Sequence, residues 1–221
     1  MKTLYVSLNL GCSGRCNICP TKGMIGCDKI TVEDLINWEK LEQTIKKSSA
    51  DIICLIGGEN PLNICNGHRN IYKKINKITL DSGKVLAALT NYEATYNTDI
   101  LNLFDYLYIM VPKTWKKDSL KVVNTLYLKS YVSINTYIEV DKVNEKVLSD
   151  IRLQFFKNPV ILLDNPEEKR KIPEYLKKHG GLRFTGRLIN RRFPIYSLTE
   201  NKYYKHSFKG SIPWRELLKV D

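Results

Sequence analysis

A chain of 221 residues, 43% hydrophobic and 26% charged, fits one globular domain with a substantial core. No apolar run approaches the roughly 20 residues a membrane helix needs, which argues against a helical membrane protein. The formal charge of +12, from 35 Lys and Arg against 23 Asp and Glu, excludes an acidic chain. It leaves two readings open: a polyanionic partner held through its phosphates, or a Lys-, Asn-, Ile- and Tyr-rich composition with solvated lysines. The first residues, MKTLYVSLNL, lack the long apolar region and small-residue cleavage site of a signal peptide. The expected location is therefore the cytoplasm, where clustered cysteines bind metal more often than they form disulfides.

Strand-like and helix-like segments alternate along the chain. Leu4 to Leu8 alternates in β fashion. Thr31 is a candidate N-cap for a helix carrying Glu33 and Asp34 in its first turn, with Leu35, Trp38, Leu41 and Ile45 on one face. Ile52 to Ile56 is a continuous apolar run, the pattern of a parallel strand covered on both faces. A helix over Asn70–Leu80 and a turn at Asp81, Ser82 and Gly83 lead to a third strand, Val85 to Thr90. A short helix over Thr98–Phe104 precedes a fourth strand, Tyr106 to Val111. Further helices are expected over Ser119–Leu128, Asn144–Phe155 and Glu167–Lys178. Fifth and sixth strands are expected at Tyr131–Val140 and Val160–Leu163, and Gly180-Gly181 stops the final helix.

Six strands alternating with helices predict a parallel α/β architecture with right-handed crossovers and a ligand site at the C-terminal strand ends. The rhythm divides the chain into a body, 1–181, and a basic, aromatic C-terminal extension, 182–221, read as an appendage and not as a seventh repeat.

Two motifs fall at those strand ends. Cys12, Cys16 and Cys19 follow the first strand as C-x3-C-x2-C in GCSGRCNICP. Three thiolates so close can hold one face of an iron–sulfur cluster, and the loop offers no obvious fourth ligand. Gly57, Gly58, Glu59, Asn60 and Pro61 follow the second strand. Paired glycines there let a ligand approach the backbone, and Glu59 supplies a charge for an ammonium group. Taken alone, this sequence is equally that of a tight turn.

With Thr90 and Asn91 after the third strand, these residues resemble the radical S-adenosylmethionine (radical SAM) superfamily, over about residues 1 to 165. The resemblance implies a partial (βα)6 barrel. It implies a [4Fe–4S] cluster on Cys12, Cys16 and Cys19, whose open iron chelates the amino and carboxylate groups of S-adenosylmethionine. The Gly57-Gly58-Glu59 turn then contacts the methionyl ammonium. One-electron reduction would release a 5′-deoxyadenosyl radical that abstracts hydrogen from a substrate.

Ile18, where the family often has an aromatic residue, would offer adenine only apolar contact. The chain also lacks the family's serine-aspartate pattern after strand four. Glu139 and Asp141, ending strand five, are either a contact for ribose or substrate or a solvated strand end. No residue is singled out as catalytic, and the cysteine-free tail implies a single cluster.

The implied substrate is a peptide or protein, with a nucleotide or RNA as the second choice. The implied electron donor is a flavodoxin or ferredoxin. Two readings of a different class stay open. In one, Cys12, Cys16, Cys19 and Cys27 form a closed zinc site in a nucleic-acid-binding protein. In the other, the chain is a non-catalytic scaffold. Cys54, inside an apolar run, reads as a plain buried residue.

Overall fold

The computed structural model describes residues 2–7, 33, 36–56, 68–91, 98–111, 133–140, 142–154, 159–163, 165–178, 183–186, 195–198 and 201–204. Its strands are β1 (Thr3–Ser7), β2 (Ile52–Ile56), β3 (Val85–Asn91), β4 (Tyr106–Val111), β5 (Ser133–Val140), β6 (Pro159–Leu163), β7 (Arg183–Gly186), β8 (Ile195–Ser197) and β9 (Lys202–Tyr204). Its helices are α1 (Trp38–Lys47), α2 (His68–Asp81), α3 (Thr98–Leu101), α4 (Glu145–Gln154), α5 (Pro166–Arg170) and α6 (Ile172–Lys178). Among the described residues no helix is long and apolar enough to cross a membrane.

All nine strands form one sheet in the order β7-β6-β5-β4-β3-β2-β1-β8-β9. From β1 to β7 every neighbouring pair is parallel and the order is sequential. Right-handed crossovers that always step the same way place every helix on one face of the sheet. The packing agrees. Leu41 and Ile45 of α1, Ile71, Ile75 and Ile78 of α2 and Leu148 of α4 share one cluster with Leu4, Val6, Ile53, Leu55, Leu107, Ile109 and Ile161. Among the described residues no helical residue enters the two clusters on the opposite face. The sheet therefore has an outer, helix-covered face and an inner face of its own.

Three local features depart from the sequence expectation. The first helix begins at Trp38: Asn37 is the N-cap, its side-chain oxygen accepting from the Lys40 N–H at 2.9 Å. Thr31, the expected cap, lies outside the described residues. The last expected helix is two helices, broken at Lys171. Pro173 explains the break, since it lacks an N–H and its ring clashes with the carbonyl four residues earlier. Lys171 N–H closes the first piece on the Glu168 carbonyl at 3.1 Å. The third departure is the C-terminal segment, which supplies three strands to the main sheet. β7 lies parallel on β6, β8 lies parallel on β1, and β9 returns antiparallel. Tyr196 and Leu198 are fully buried in the outer core. Asn201 takes the left-handed conformation, φ 52°, in the connection to β9, and its side-chain oxygen accepts from the Asn37 N–H at 2.6 Å. The extension thus reaches the start of α1. The expected helix over Ser119–Leu128 and the Gly180-Gly181 stop lie outside the described residues.

The turn read at Asp81, Ser82 and Gly83 is present. Gly83 has φ +64°, a conformation that favours glycine, and its N–H donates to the Leu80 carbonyl at 2.9 Å.

Candidate functional site

β1 and β2 are paired in register from Thr3↔Ile52 to Ser7↔Ile56. The chain therefore leaves the two strands at adjacent residues on the C-terminal edge of the sheet. Gly57 directly follows Ile56, and Cys12 opens the cysteine motif shortly after Ser7. Ser7 is itself buried, and its carbonyl accepts from the Leu198 N–H at 3.0 Å, so this exit is flanked on its far side by β8. Asn91 is the last residue of β3, paired with Met110, and Glu139 stands beside Leu162 near the end of β5. Cys12, Cys16, Cys19, Ile18, Gly57, Gly58, Glu59, Asn60 and Pro61 lie outside the described residues. Cys27 and Asp141 do too. Among the described residues no three His, Cys, Asp or Glu side chains gather to hold a metal ion.

The inner face of the sheet carries what the sequence reading missed. At its lower level Ile52, Cys54 and Ala87 pack with Val85, Tyr5 and Tyr106. Nearer the C-terminal edge come Leu89, Tyr108, Met110, Tyr137, Val160 and Leu162. The rings of Tyr108 and Tyr137, on neighbouring strands, meet edge to face with centroids 6.0 Å apart. Asn135 is paired with Tyr108 across β4 and β5. Tyr5, Tyr106, Tyr108, Asn135 and Tyr137 are all half-buried, unlike the sealed aliphatic residues of the outer face. Strand alternation gave a usable signal. In β4 the tyrosines fall at 106 and 108, opposite in parity to Leu107, Ile109 and Val111.

Two inner-face groups are tuned by that setting. Burial raises the Tyr108 hydroxyl to about 12, with smaller contributions from Cys54, Tyr137 and Tyr106. Burial also pushes the Cys54 thiol far up, so it stays protonated and inert, as a plain buried residue would. Among strand residues whose side chains are described, none on the inner face carries a charge at neutral pH, although the chain holds 35 Lys and Arg. Among the described side chains the arrangement offers an uncharged aromatic wall with hydroxyl and amide groups, on strands whose C-terminal ends share the edge where β1 and β2 release their loops.

This is the α/β fold of one-sided sequential winding, a partial barrel. A matching solved structure is native anSMEcpe with bound AdoMet and the Kp18Cys peptide; it is 11% identical, with a TM-score of 0.56. The match covers 99% of this chain and 81% of that one. No protein-family model matches the chain, and no curated protein sequence does.

Proposed function

We propose that the chain is a radical SAM enzyme that modifies a peptide or protein. One observation carries this: β1 and β2, paired to their last residues, lead at one sheet edge into the three-cysteine motif and the Gly57-Gly58-Glu59 motif. The likeness to an AdoMet-binding protein of the same fold supports it. In this reading Cys12, Cys16 and Cys19 hold a [4Fe–4S] cluster, and three thiols within eight residues suit it by donor chemistry. Gly57, Gly58 and Glu59 take the methionyl end of AdoMet, with Asn60 and Pro61 completing the turn. Ile18 packs on the adenine, while Asn91 and Glu139 complete the cofactor site from the ends of β3 and β5. When bound, these groups supply reductive cleavage of AdoMet and hydrogen abstraction from the substrate.

The chain's own residues bind, orient and exclude water. The inner wall suits an uncharged side chain presented by a peptide better than a phosphate, which would call for cations. The peptide bound to anSMEcpe supports the same substrate class. A flavodoxin or ferredoxin in the cytoplasm is the matching reductant.

The test is anaerobic reconstitution with iron and sulfide, reduction with dithionite, addition of AdoMet and assay for 5′-deoxyadenosine. Cys16→Ala should abolish both cluster absorbance and product, and Cys27→Ala should spare both. A protein that takes up zinc and yields no 5′-deoxyadenosine would sink the reading.

A further inference from the structure

We propose that the outward face of α2 is the docking surface for a small acidic electron-carrier protein. The inference rests on the radical SAM reading and adds to it the partner's landing site. Arg69, Lys73 and Lys77 are exposed and spaced four residues apart, so they form one stripe about 12 Å long. Leu80, 58% exposed, falls on the same stripe beyond Lys77. α2 carries no acidic residue before Asp81.

The other helices differ. α1 interleaves Glu39 and Glu42 with Lys40, Lys46 and Lys47, and Lys46 is bonded to Glu42. α5 and α6 set Glu167, Glu168 and Glu174 among their cations. Lys73 and Lys77 have no ion-pair partner among the described residues, so their charge is available to a visitor.

Two observations favour a protein over a nucleic acid. The exposed Leu80 adds an apolar contact to the stripe, which a protein partner can cover and a phosphate backbone cannot. The neighbouring aromatic, Trp38, has one face covered by the Lys74 ammonium at 4.2 Å from its ring centroid and packs its half-buried ring against the core, which leaves little of it for a base to stack on. Position favours an electron carrier. α2 starts at His68, on the return from Ile56, so the Arg69 end of the stripe lies at the sheet edge where the proposed cofactor motifs begin. A flavodoxin docked there would supply the single electron that the proposed cluster requires, its anionic hydroquinone becoming the neutral semiquinone with no proton released.

The experiment compares two reductants on the reconstituted enzyme. Reduced flavodoxin serves as the protein donor and dithionite as the small one, and flavodoxin affinity is measured separately by titration calorimetry. Lys73→Glu/Lys77→Glu should weaken flavodoxin binding about tenfold or more and slow flavodoxin-driven 5′-deoxyadenosine formation alike. Dithionite-driven formation should hold. Wild-type affinity should fall as salt rises. Lys142→Glu/Lys146→Glu, the same charge change on exposed lysines elsewhere, should leave affinity near wild type. Equal weakening by both double variants, or no weakening by the first, overturns the docking face. So does an RNA oligonucleotide whose binding needs Lys73 and Lys77 while flavodoxin binding does not. No 5′-deoxyadenosine with dithionite overturns the enzyme reading as well, and so separates the two failures.

Discussion

The two faces of the sheet are built from the same strands and serve opposite ends. On the outer face β1 to β6 present Leu4, Val6, Ile53, Leu55, Leu107, Ile109 and Ile161 to the helices, each fully buried. On the inner face the same strands present Tyr5, Tyr106, Tyr108 and Tyr137, each half-buried. A residue that is sealed contributes stability and little else. A half-buried tyrosine keeps an apolar body in the core and a hydroxyl within reach of a guest. The alternation of a single strand thus gives one face over to aliphatic packing, while the other, though it too holds sealed residues such as Cys54 and Leu162, carries the half-buried tyrosines that the proposed function would use.

The largest expected effect tests the outer face. Leu55→Ala removes a fully buried side chain from it and should cost about 2–5 kcal/mol by denaturant unfolding. A loss under 1 kcal/mol would mean that this face is not the stabilising one. Next comes Glu168, the buried carboxylate between α5 and α6. It accepts from Tyr175 Oη at 2.7 Å, from the Val143 N–H at 3.0 Å and from Lys171 Nζ at 3.1 Å. The Tyr175 bond first, and then Val143, hold its carboxyl below the usual range, while burial and Glu168 together raise the Tyr175 hydroxyl to about 12. Glu168→Gln should cost about 1–3 kcal/mol at pH 7. Because the folded value is depressed, this contribution is full above the unfolded carboxyl range near pH 4.3 and is lost as pH falls through the folded value. The gap between wild type and variant should therefore narrow in unfolding curves taken at progressively lower pH.

On the inner face, Tyr108→Leu keeps bulk but removes the hydroxyl and the ring contact with Tyr137. It should slow peptide turnover about tenfold, equivalent to about 1.4 kcal/mol, with stability nearly unchanged and uncoupled 5′-deoxyadenosine formation intact. A stability loss with turnover per folded molecule unchanged would make the inner face merely a second core. The smallest effect belongs to Tyr196. Its hydroxyl is buried, has no hydrogen-bond partner among the described residues and is raised to about 12 by burial. Tyr196→Phe should leave the melting temperature level or slightly higher, because the group it removes satisfies nothing.

Much of the frame was legible because parallel strands buried on both faces write themselves as apolar runs. Ile52–Ile56 and Tyr106–Val111 are where periodicity placed them. The strands β7 to β9 were not legible. They are three or four residues long, too short for alternation to emerge, and sit in a basic aromatic stretch. Their place in the sheet comes from long-range pairing that no local pattern encodes. Pro173 was visible, yet its helix was read through it. The motifs are legible in order along the chain, and the structure adds that the strands before them, β1 and β2, end side by side, while the motif residues themselves lie outside the described residues. The tyrosine wall escaped because aromatic residues in a strand read first as core.

The pairing of β8 with β1 sets an order of events. β1 is made long before β8, and among the described strands the edge of β1 away from β2 has no partner until Ile195, Tyr196 and Ser197 arrive. Until β8 is made, the sheet is incomplete on that side of β1. Two segments far apart in sequence are thereby locked together, so this edge of the sheet closes only through a long-range contact and is among the later parts of the fold to form.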